Sequence, residues 1–194
     1  MTLEEIANRA RKGYIPIIRD NTAQALINVC KEKNPKKILE IGTAIGYSGL
    51  LMLQNCQAFL YTIEKDEQRL AEAEKNFKLF GQEARVKLIL DDALIALEKL
   101  CNDNEKFDLI FLDGAKGQYI KYYPLIKKLL NHDGILFTDN IYMHGMVKSE
   151  GKIAHKHRSM VVNLRKYIEL LKNDKDFTTN FYDIDDGYSI SKLN

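Results

Sequence analysis

The segment Lys37–Gly49 constrains this chain more than any other part of the sequence. Residues 38–41 predict a buried strand that is interrupted only by Glu40, three glycines follow, and an apolar run from Leu50 predicts a helix. A strand that leads through a glycine turn into a helix is how open α/β sheets build a ligand site. The spacing departs from the dinucleotide pattern G-x-G-x-x-G, because two other residues follow Gly42. A tight turn that binds no ligand therefore stays open as an alternative at this point.

Beyond this segment the hydrophobic period alternates between strands and helices. Strands are predicted at residues 58–63, 85–90, 107–112 and 134–138, and helices at 66–80, 92–100, 119–130 and 158–171. Near-continuous apolar strands of this kind predict a parallel sheet with helices on both faces. Two closing strands, 177–184 and 188–192, flank Asp185-Asp186-Gly187, which predicts a hairpin. The sequence thus predicts an α/β, Rossmann-like fold with a mostly parallel seven-stranded sheet and a C-terminal antiparallel hairpin.

The N-terminal part predicts two helices, at residues 2–11 and from about 20 to 33, joined by the extended segment 14–18. We find no internal repeat, linker or low-complexity stretch, and a chain of 194 residues fits one domain. We therefore expect a single domain over residues 1–194, in which residues 1–35 form N-terminal helices that cover the site.

Composition excludes several classes of protein. The net charge of +2 gives no global attraction to polyanions, so any nucleic-acid role must rest on a local patch. The three cysteines are widely spaced and none lies in a C-x-x-C, which argues against a disulfide framework or a zinc knuckle and fits a reducing cytoplasm. The acidic N-terminus does not resemble a signal peptide, and no apolar run approaches the roughly 18 residues of a membrane span. We expect a cytoplasmic protein without a membrane partner.

Acidic and amide side chains stand at the ends of all five predicted parallel strands. They are Glu40, Glu64, Asp91, Asp92, Asp113, Asp139 and Asn140. Ligands bind beyond the carboxyl ends of such strands. Glu64 lies about 20 residues after the glycine turn, where a nucleotide site places an acid that accepts from ribose hydroxyls. Asp92 has an equally good alternative role as a helix cap.

Three of these residues predict a metal site. Asp113, Asp139 and Asn140 offer two carboxylates and one amide oxygen, which are hard ligands suited to Mg²⁺ or Ca²⁺. The absence of thiolate and imidazole from this set argues against zinc. Lys116 follows Asp113 by three residues, and a nearby divalent ion would favour its neutral form, which a general base needs. A solvated loop lysine is the alternative.

The predicted insert over residues 140–157 is basic and irregular. With the start of the next helix it forms a candidate phosphate-binding patch of Lys148, Lys152, Lys156, Arg158 and Arg165. His155 and His157 lie among these cations, which disfavours a histidine metal site. A merely solvated insert is an equal alternative.

These residues fall in five motifs: Glu40-Ile-Gly-Thr-Ala-Ile-Gly-Tyr-Ser48, Thr62-Ile-Glu-Lys65, Asp91-Asp-Ala93, Phe111-Leu-Asp-Gly-Ala-Lys-Gly-Gln-Tyr119 and Thr138-Asp-Asn140. Together they resemble class I S-adenosylmethionine methyltransferases, and more narrowly the divalent-metal-dependent O-methyltransferases of the catechol and caffeoyl-CoA type. The resemblance implies that Asp113, Asp139 and Asn140 hold the metal and that Lys116 is the catalytic base. It also implies a cofactor-binding set of Ile18, Glu40, Gly42, Ser48, Glu64, Asp92, Ala93 and Asp113.

Within that family the chain looks most similar to bacterial tRNA 5-hydroxyuridine methyltransferases. The extended segment 14–18, the basic insert and residues 187–191 carry this likeness, while Arg19-Asp20-Asn21, Asp91 and a short N-terminal region depart from it. The likeness implies metal-assisted methylation of the 5-hydroxyl of 5-hydroxyuridine in tRNA, giving 5-methoxyuridine, by a homodimer whose basic patch meets phosphates.

Other functions remain open from the sequence. The same chemistry on a small catechol or phenolic ester is the runner-up. A nucleotide- or RNA-binding module without catalysis is a second alternative. An NAD-dependent dehydrogenase is disfavoured by the glycine spacing.

Overall fold

The computed structural model describes residues 2–149 and 151–194; Met1 and Glu150, which fall in the predicted N-terminal region and insert, lie outside them. The helices are α1 (Leu3–Lys12), α2 (Asp20–Lys33), α3 (Tyr47–Asn55), α4 (Glu67–Leu79), α5 (Ala93–Asn102), α6 (Tyr119–Leu129) and α7 (His155–Asn173). The strands are β1 (Lys37–Ile41), β2 (Phe59–Glu64), β3 (Val86–Leu90), β4 (Phe107–Leu112), β5 (Leu130–Thr138), β6 (Phe177–Tyr182) and β7 (Tyr188–Leu193). Short 3₁₀ turns occur at Glu83–Arg85 and Lys116–Gln118.

The strands form one seven-stranded sheet in the order β3-β2-β1-β4-β5-β7-β6. The first five are parallel, and β7 is antiparallel to both β5 and β6. This confirms the predicted fold. The chain order reverses between β1 and β4, and ligands of open α/β sheets bind beside such a reversal, at the carboxyl ends of the strands.

Two apolar clusters cover the two faces of the sheet. One contains the buried faces of α5, α6 and α7, and the other contains those of α1 to α4. Leu39 and Ile110 face the first cluster, whereas Ile38 and Leu109 face the second, because successive side chains of a strand point to opposite faces. Among the described residues, no helix is both long and apolar enough to cross a membrane.

Helix caps follow the sequence closely. Thr2 and Glu5 form a capping box at the start of α1. The Asp66 carboxylate accepts from the N–H groups of Gln68 and Arg69, so Asp66 caps α4 and Glu64 is left for another role. Asp66 is therefore the helix cap that the sequence predicts.

Several element boundaries differ from the prediction by one to four residues, among them the following three. The helix α7 starts at His155, three residues before its predicted start at residue 158. Residues 155–157 are basic, and the sequence therefore places them in the irregular insert. The strand β5 starts at Leu130 and has an irregular register opposite β4. The strand β6 ends at Tyr182, because residues 183–187 form the connecting loop. These shifts leave the carboxyl edge of the sheet unchanged.

The N-terminal helices belong to the same core as β1. Ile6 and Ala10 of α1 and Leu26 of α2 are fully buried in the cluster that contains α3. That residues 1–35 cover the site stays a prediction.

Candidate functional site

The glycine turn between β1 and α3 lies at the carboxyl edge of the sheet. Gly42, Ala44 and Gly46 have positive φ angles of 110°, 45° and 82°. The N–H groups of Gly42 and Thr43 donate to the carbonyl of Ile63 at 3.0 and 3.2 Å. The end of β2 therefore fixes the turn beside the next strand.

Gly42 is required here by neighbouring backbone. A Cβ atom at this position would lie 2.4 Å from the carbonyl oxygen of Asp113 and 3.3 Å from the Cα of Gly114. The N–H of Asp113 donates to the carbonyl of Ile41 at 3.0 Å. The glycine thus allows the β1 turn and the β4 turn to touch, a reason that the sequence does not reveal. Its contact with the cofactor stays a prediction.

Glu40 lies beneath the turn and is fully buried. Its carboxylate accepts from the hydroxyl of Ser48 and, at 2.6 Å, from that of Thr62. Burial raises the pKa of Glu40 to about 7, the two hydrogen bonds oppose this rise, and the charges of Asp113 and Glu64 add to it. The structure brings Glu40 and Ser48 together as one hydrogen-bonded pair. Their contact with the methionine end of a cofactor stays a prediction.

Glu64 is oriented by backbone donors. Its Oε2 accepts from the N–H of Ala44 at 2.9 Å, and its Oε1 accepts from those of Lys65 and Asp66 at 2.9 and 3.1 Å. A carboxylate oxygen accepts two hydrogen bonds, so Oε2 keeps capacity for one more donor. The side chain is therefore held as a fixed acceptor at the end of β2, as a ribose-binding role requires.

The other predicted cofactor residues have structural roles as well. The Asp92 carboxylate accepts from the N–H of Leu94 at 2.9 Å and caps α5, which confirms its alternative role. Ala93 is the first residue of α5 and is half-buried. Ile18 is buried in the core cluster with α2. Cofactor contacts by these three residues stay predictions.

Asp113 follows β4 and meets Lys116. The Lys116 Nζ lies 3.5 Å from Asp113 Oδ1, and both side chains are partly exposed. Burial raises the pKa of Asp113, and the Lys116 charge opposes the rise. The predicted base and the predicted metal ligand are therefore neighbours, as their spacing of three residues suggests.

Asp139 follows β5, beside the end of β4. Its N–H donates to the carbonyl of Leu112 at 3.0 Å, and its Oδ1 accepts from the N–H of Asn140 at 2.6 Å. Burial raises the pKa of Asp139 to about 8, and the charge of Asp113 adds to the rise. The two carboxylates are therefore close enough to repel each other.

Asn140 takes a left-handed backbone conformation with φ of 54° directly after β5. The described residues contain no group of three His, Cys, Asp or Glu side chains placed to hold one metal ion. The predicted set instead combines two carboxylates with one amide. Metal binding by Asp113, Asp139 and Asn140 stays a prediction.

Cations of the predicted phosphate-binding patch are in part engaged by the protein itself. Lys148 pairs with Asp183 at 2.5 Å and lies 3.8 Å from the centre of the Tyr142 ring. Arg165 donates to the carbonyls of Val147 and Ser149, and Arg158 donates to that of Ile153. Lys152 and Lys156 are exposed. The patch therefore fastens the insert to α7, and its contact with nucleic acid stays a prediction.

For several residues beside the site, the sequence predicts no functional role. Arg19 and His144 lie at this edge of the sheet with Asp186, which is buried in the loop between β6 and β7. Only the turn signal of residues 185–187 and the departure at Arg19 mark them in the sequence, and neither reveals contacts over 125 residues. Tyr119, which the sequence predicts only as the first residue of a helix, is another. Its buried hydroxyl donates to the carbonyl of Asp139 at 3.5 Å.

Solved structures with the same fold include named methyltransferases. A Staphylococcus aureus protein provisionally named a caffeoyl-CoA O-methyltransferase is 33% identical, with a TM-score of 0.92 over 100% of this chain and 93% of that one. The Podospora anserina methyltransferase PaMTH1, solved with SAH bound, is 26% identical, with a TM-score of 0.80 over 92% of this chain and 80% of that one.

Sequence comparison points to the same group. A catechol O-methyltransferase from Niastella koreensis is 32% identical over 130 residues, which are 66% of this chain and 58% of that protein. The chain spans 54% and 58% of the length of two curated relatives that it matches. The model of the family described as O-methyltransferase matches residues 2–193. With the strand-end acids and the sheet order in place, this match shows that the chain belongs to the O-methyltransferase family.

Proposed function

We propose that this protein transfers a methyl group from S-adenosylmethionine to a hydroxyl oxygen of a small catechol or related phenol, with a hard divalent cation as a second cofactor. The observation that carries the proposal is the pair Asp113 and Asp139, two close carboxylates at adjacent strand ends beside the glycine turn. The names of relatives, which refer to catechol and caffeoyl-CoA, support the choice of acceptor.

The residues around the glycine turn fit S-adenosylmethionine, which supplies an electrophilic methyl group when bound. Glu64 is fixed by three backbone N–H groups and retains acceptor capacity for a ribose hydroxyl. Glu40 and Ser48 form a hydrogen-bonded pair beside the turn. The methionine end of the cofactor would be directed toward this pair. The SAH-bound relative from Podospora anserina supports this cofactor.

The residues at the ends of β4 and β5 fit a hard cation. The charge of Asp113 raises the proton affinity of the Asp139 carboxylate, and Asn140 follows Asp139 with an amide oxygen. Such a donor set suits Mg²⁺ or a similar ion. A cation held there supplies positive charge that lowers the pKa of a hydroxyl it contacts.

Lys116 is the base in this proposal. Its Nζ is beside Asp113, so it stands at the border of the ion-binding residues and can accept the proton of the acceptor hydroxyl. The remaining task of the protein is alignment of the acceptor oxygen with the methyl group, which the rigid strand ends provide.

Transfer to the 5-hydroxyl of 5-hydroxyuridine in tRNA is the second candidate. The exposed Lys152 and Lys156 favour it, whereas the engagement of Lys148 and Arg165 within the insert weakens it. A homodimer remains part of both proposals, and light scattering in solution tests it.

The deciding experiment offers labelled S-adenosylmethionine and Mg²⁺ with either catechol or tRNA that lacks the modification. We expect methylated catechol, and loss of product when a chelator removes the cation. Product on tRNA alone, lost steeply as salt is added, would favour the second candidate. Failure of methyl transfer to either acceptor would refute the proposed enzyme activity.

A further inference from the structure

Three segments that are distant in sequence meet beside Asp139. They are the extended stretch that ends at Arg19, the turn over residues 141–148, and the loop over residues 183–187. The N–H of Ile141 donates to the carbonyl of Gly187 at 2.9 Å, and the N–H of Tyr142 donates to that of Asp186 at 3.0 Å. The turn that follows the predicted metal ligands is therefore tied to the loop.

Arg19, His144 and Asp186 form the polar surface of this junction, which we call the rim cluster. The buried Asp186 accepts from the N–H of His144, and its Oδ2 lies 3.4 Å from His144 Nδ1. The Nη2 of Arg19 lies 3.3 Å from the same Nδ1. Both Arg19 and the His144 ring are exposed to solvent. The cluster is thus anchored from below by Asp186 and presents a guanidinium outward.

Most of the hydrogen-bonding capacity of Arg19 is unused. A guanidinium carries five N–H donors, and within residues 2–149 and 151–194 its one side-chain hydrogen bond is the contact with His144. The charge of Arg19 acts on the adjacent Asp185, but the hydrogen bonds that Asp185 accepts come from the side chain of Asn21 and from the N–H and hydroxyl of Thr22 at 2.9–3.0 Å. Arg19 therefore keeps a free fork of donors.

Arg19 lies close to the residues that would bind the acceptor under the proposed function. It follows Ile18, which is predicted to touch the cofactor, and it contacts His144, four residues after Asn140. The charge of Asp186 acts on Asp139, so the rim cluster borders the predicted ion site. Arg19 also lines a surface groove of about 460 Å³, whose wall combines the apolar residues 15–18 with the charged side chains of Arg11, Asp20 and Asp185. An aromatic acceptor between the cofactor and the ion would therefore have this cation near its far end.

We propose that Arg19, held by His144, binds a carboxylate on the acceptor, so that the preferred substrates are catechols carrying a carboxylate. The planar donor fork of a guanidinium matches the two oxygens of a carboxylate. Lys116 is less suited to this role, because it pairs with Asp113. The inference rests on the proposed function, since it specifies the acceptor of the same site.

A charge series of acceptors tests the proposal. Neutral catechol, 3,4-dihydroxybenzoate, 3-(3,4-dihydroxyphenyl)propanoate and the cationic 2-(3,4-dihydroxyphenyl)ethylamine share the reacting diol and differ in the charged group and its reach. We expect the better carboxylate to have a kcat/KM about tenfold above catechol, mainly through KM, and the amine to fall below catechol.

Variants assign the preference to Arg19. Arg19→Gln should remove the roughly tenfold advantage of the carboxylates while leaving catechol turnover within about twofold. Arg19→Lys keeps the charge but lacks the fork, and should restore only part of the advantage. His144→Ala should reduce the advantage by about threefold through looser positioning of Arg19. Lys12→Gln removes one exposed charge from α1, outside the rim cluster, and should change nothing.

The outcomes distinguish a failure of the proposed role of Arg19 from a failure of the proposed function. Equal turnover of all four acceptors, or a carboxylate preference that survives Arg19→Gln, would overturn the role of Arg19 and leave the proposed function intact. A parallel loss with every acceptor in Arg19→Gln would show that Arg19 only holds the fold of the junction, and would also overturn it. Absence of methyl transfer to any of the four by the unaltered protein would overturn the proposed function, and this inference with it.

Discussion

The two halves of the candidate site differ in how the protein treats its acids. At the ends of β1 and β2, hydroxyl and backbone donors surround Glu40 and Glu64. At the ends of β4 and β5, Asp113 faces one lysine at 3.5 Å, and Asp139 accepts from one backbone N–H. The protein therefore donates two or three hydrogen bonds to each acid of the first half and one to each acid of the second.

The pKa directions express this difference. Burial raises the pKa of both Glu40 and Asp139, but hydrogen bonds from Ser48 and Thr62 are the next largest influence on Glu40 and lower its pKa. For Asp139 the next largest influence is the charge of Asp113, which raises it further. Donors that favour a carboxylate make a fixed acceptor, while two mutually repelling carboxylates favour a bound cation. Under the proposed function, the first half would receive the hydroxyl donors of the cofactor and the second would receive the positive charge of a cation.

Asp139→Ala breaks the second half and should have the largest effect. Loss of one of two carboxylates should lower cation-dependent turnover by about a thousandfold, because a bound cation would lower the pKa of the acceptor hydroxyl and favour its nucleophilic, deprotonated form. Cofactor affinity should stay within about threefold, since the first half is untouched. Steady-state kinetics and calorimetry measure the two quantities. Asp91→Ala removes an acid from the end of β3 that pairs with Lys99, and serves as control. Unchanged turnover in Asp139→Ala would contradict the metal assignment.

Gly42→Ala breaks the junction between the halves. Its Cβ would lie 2.4 Å from the Asp113 carbonyl at a φ of 110°, so we expect a loss of about 3 kcal/mol in the free energy of unfolding. Gly81→Ala is a matched control, because Gly81 also has a positive φ but its Cβ would meet nothing within 4 Å. That variant should lose about 1 kcal/mol. Urea unfolding compares the two, and equal losses would argue against a close backbone contact.

Glu64→Ala breaks the first half alone. Loss of a fixed acceptor should weaken cofactor binding about thirtyfold, with little change in turnover at saturating cofactor. Calorimetric titration with S-adenosylmethionine measures the dissociation constant, and the exposed Glu67→Ala in the first turn of α4 is the control. A normal dissociation constant would exclude the ribose role of Glu64.

Local patterns predicted the fold and the strand-end acids, for a physical reason. Alternating periods identify each strand, and parallel strands must place their carboxyl ends on one edge, so Glu64, Asp113 and Asp139 could be grouped without coordinates. The sequence could not reveal contacts between residues that are far apart in the chain. The sequence pattern indicates a ligand-binding role for Gly42, but in the fold a backbone carbonyl 71 residues later leaves no space for a Cβ atom there. Arg19 and Asp186 could not be linked, because no local periodicity connects a loop before α2 with one before β7.

Proton binding at Asp139 sharpens the comparison with the smallest expected effect. Its folded pKa of about 8 exceeds the ordinary value of 3.8, so the folded state keeps a proton that the unfolded chain releases. The resulting stabilisation is complete below about pH 4 and is lost as the pH rises toward 8. Without cation, Asp139→Asn should flatten this decline between about pH 5 and pH 8.

Added Mg²⁺ should act in the opposite direction on the unaltered protein. A cation binds the deprotonated carboxylates, so its stabilising effect should grow as the pH rises through the same range and should be absent in Asp139→Asn. Urea unfolding of both proteins at both pH values, with and without Mg²⁺, measures these differences. Identical pH profiles for the two proteins would show that the folded protein fully compensates the charge of Asp139, and the contrast between the halves would then fail.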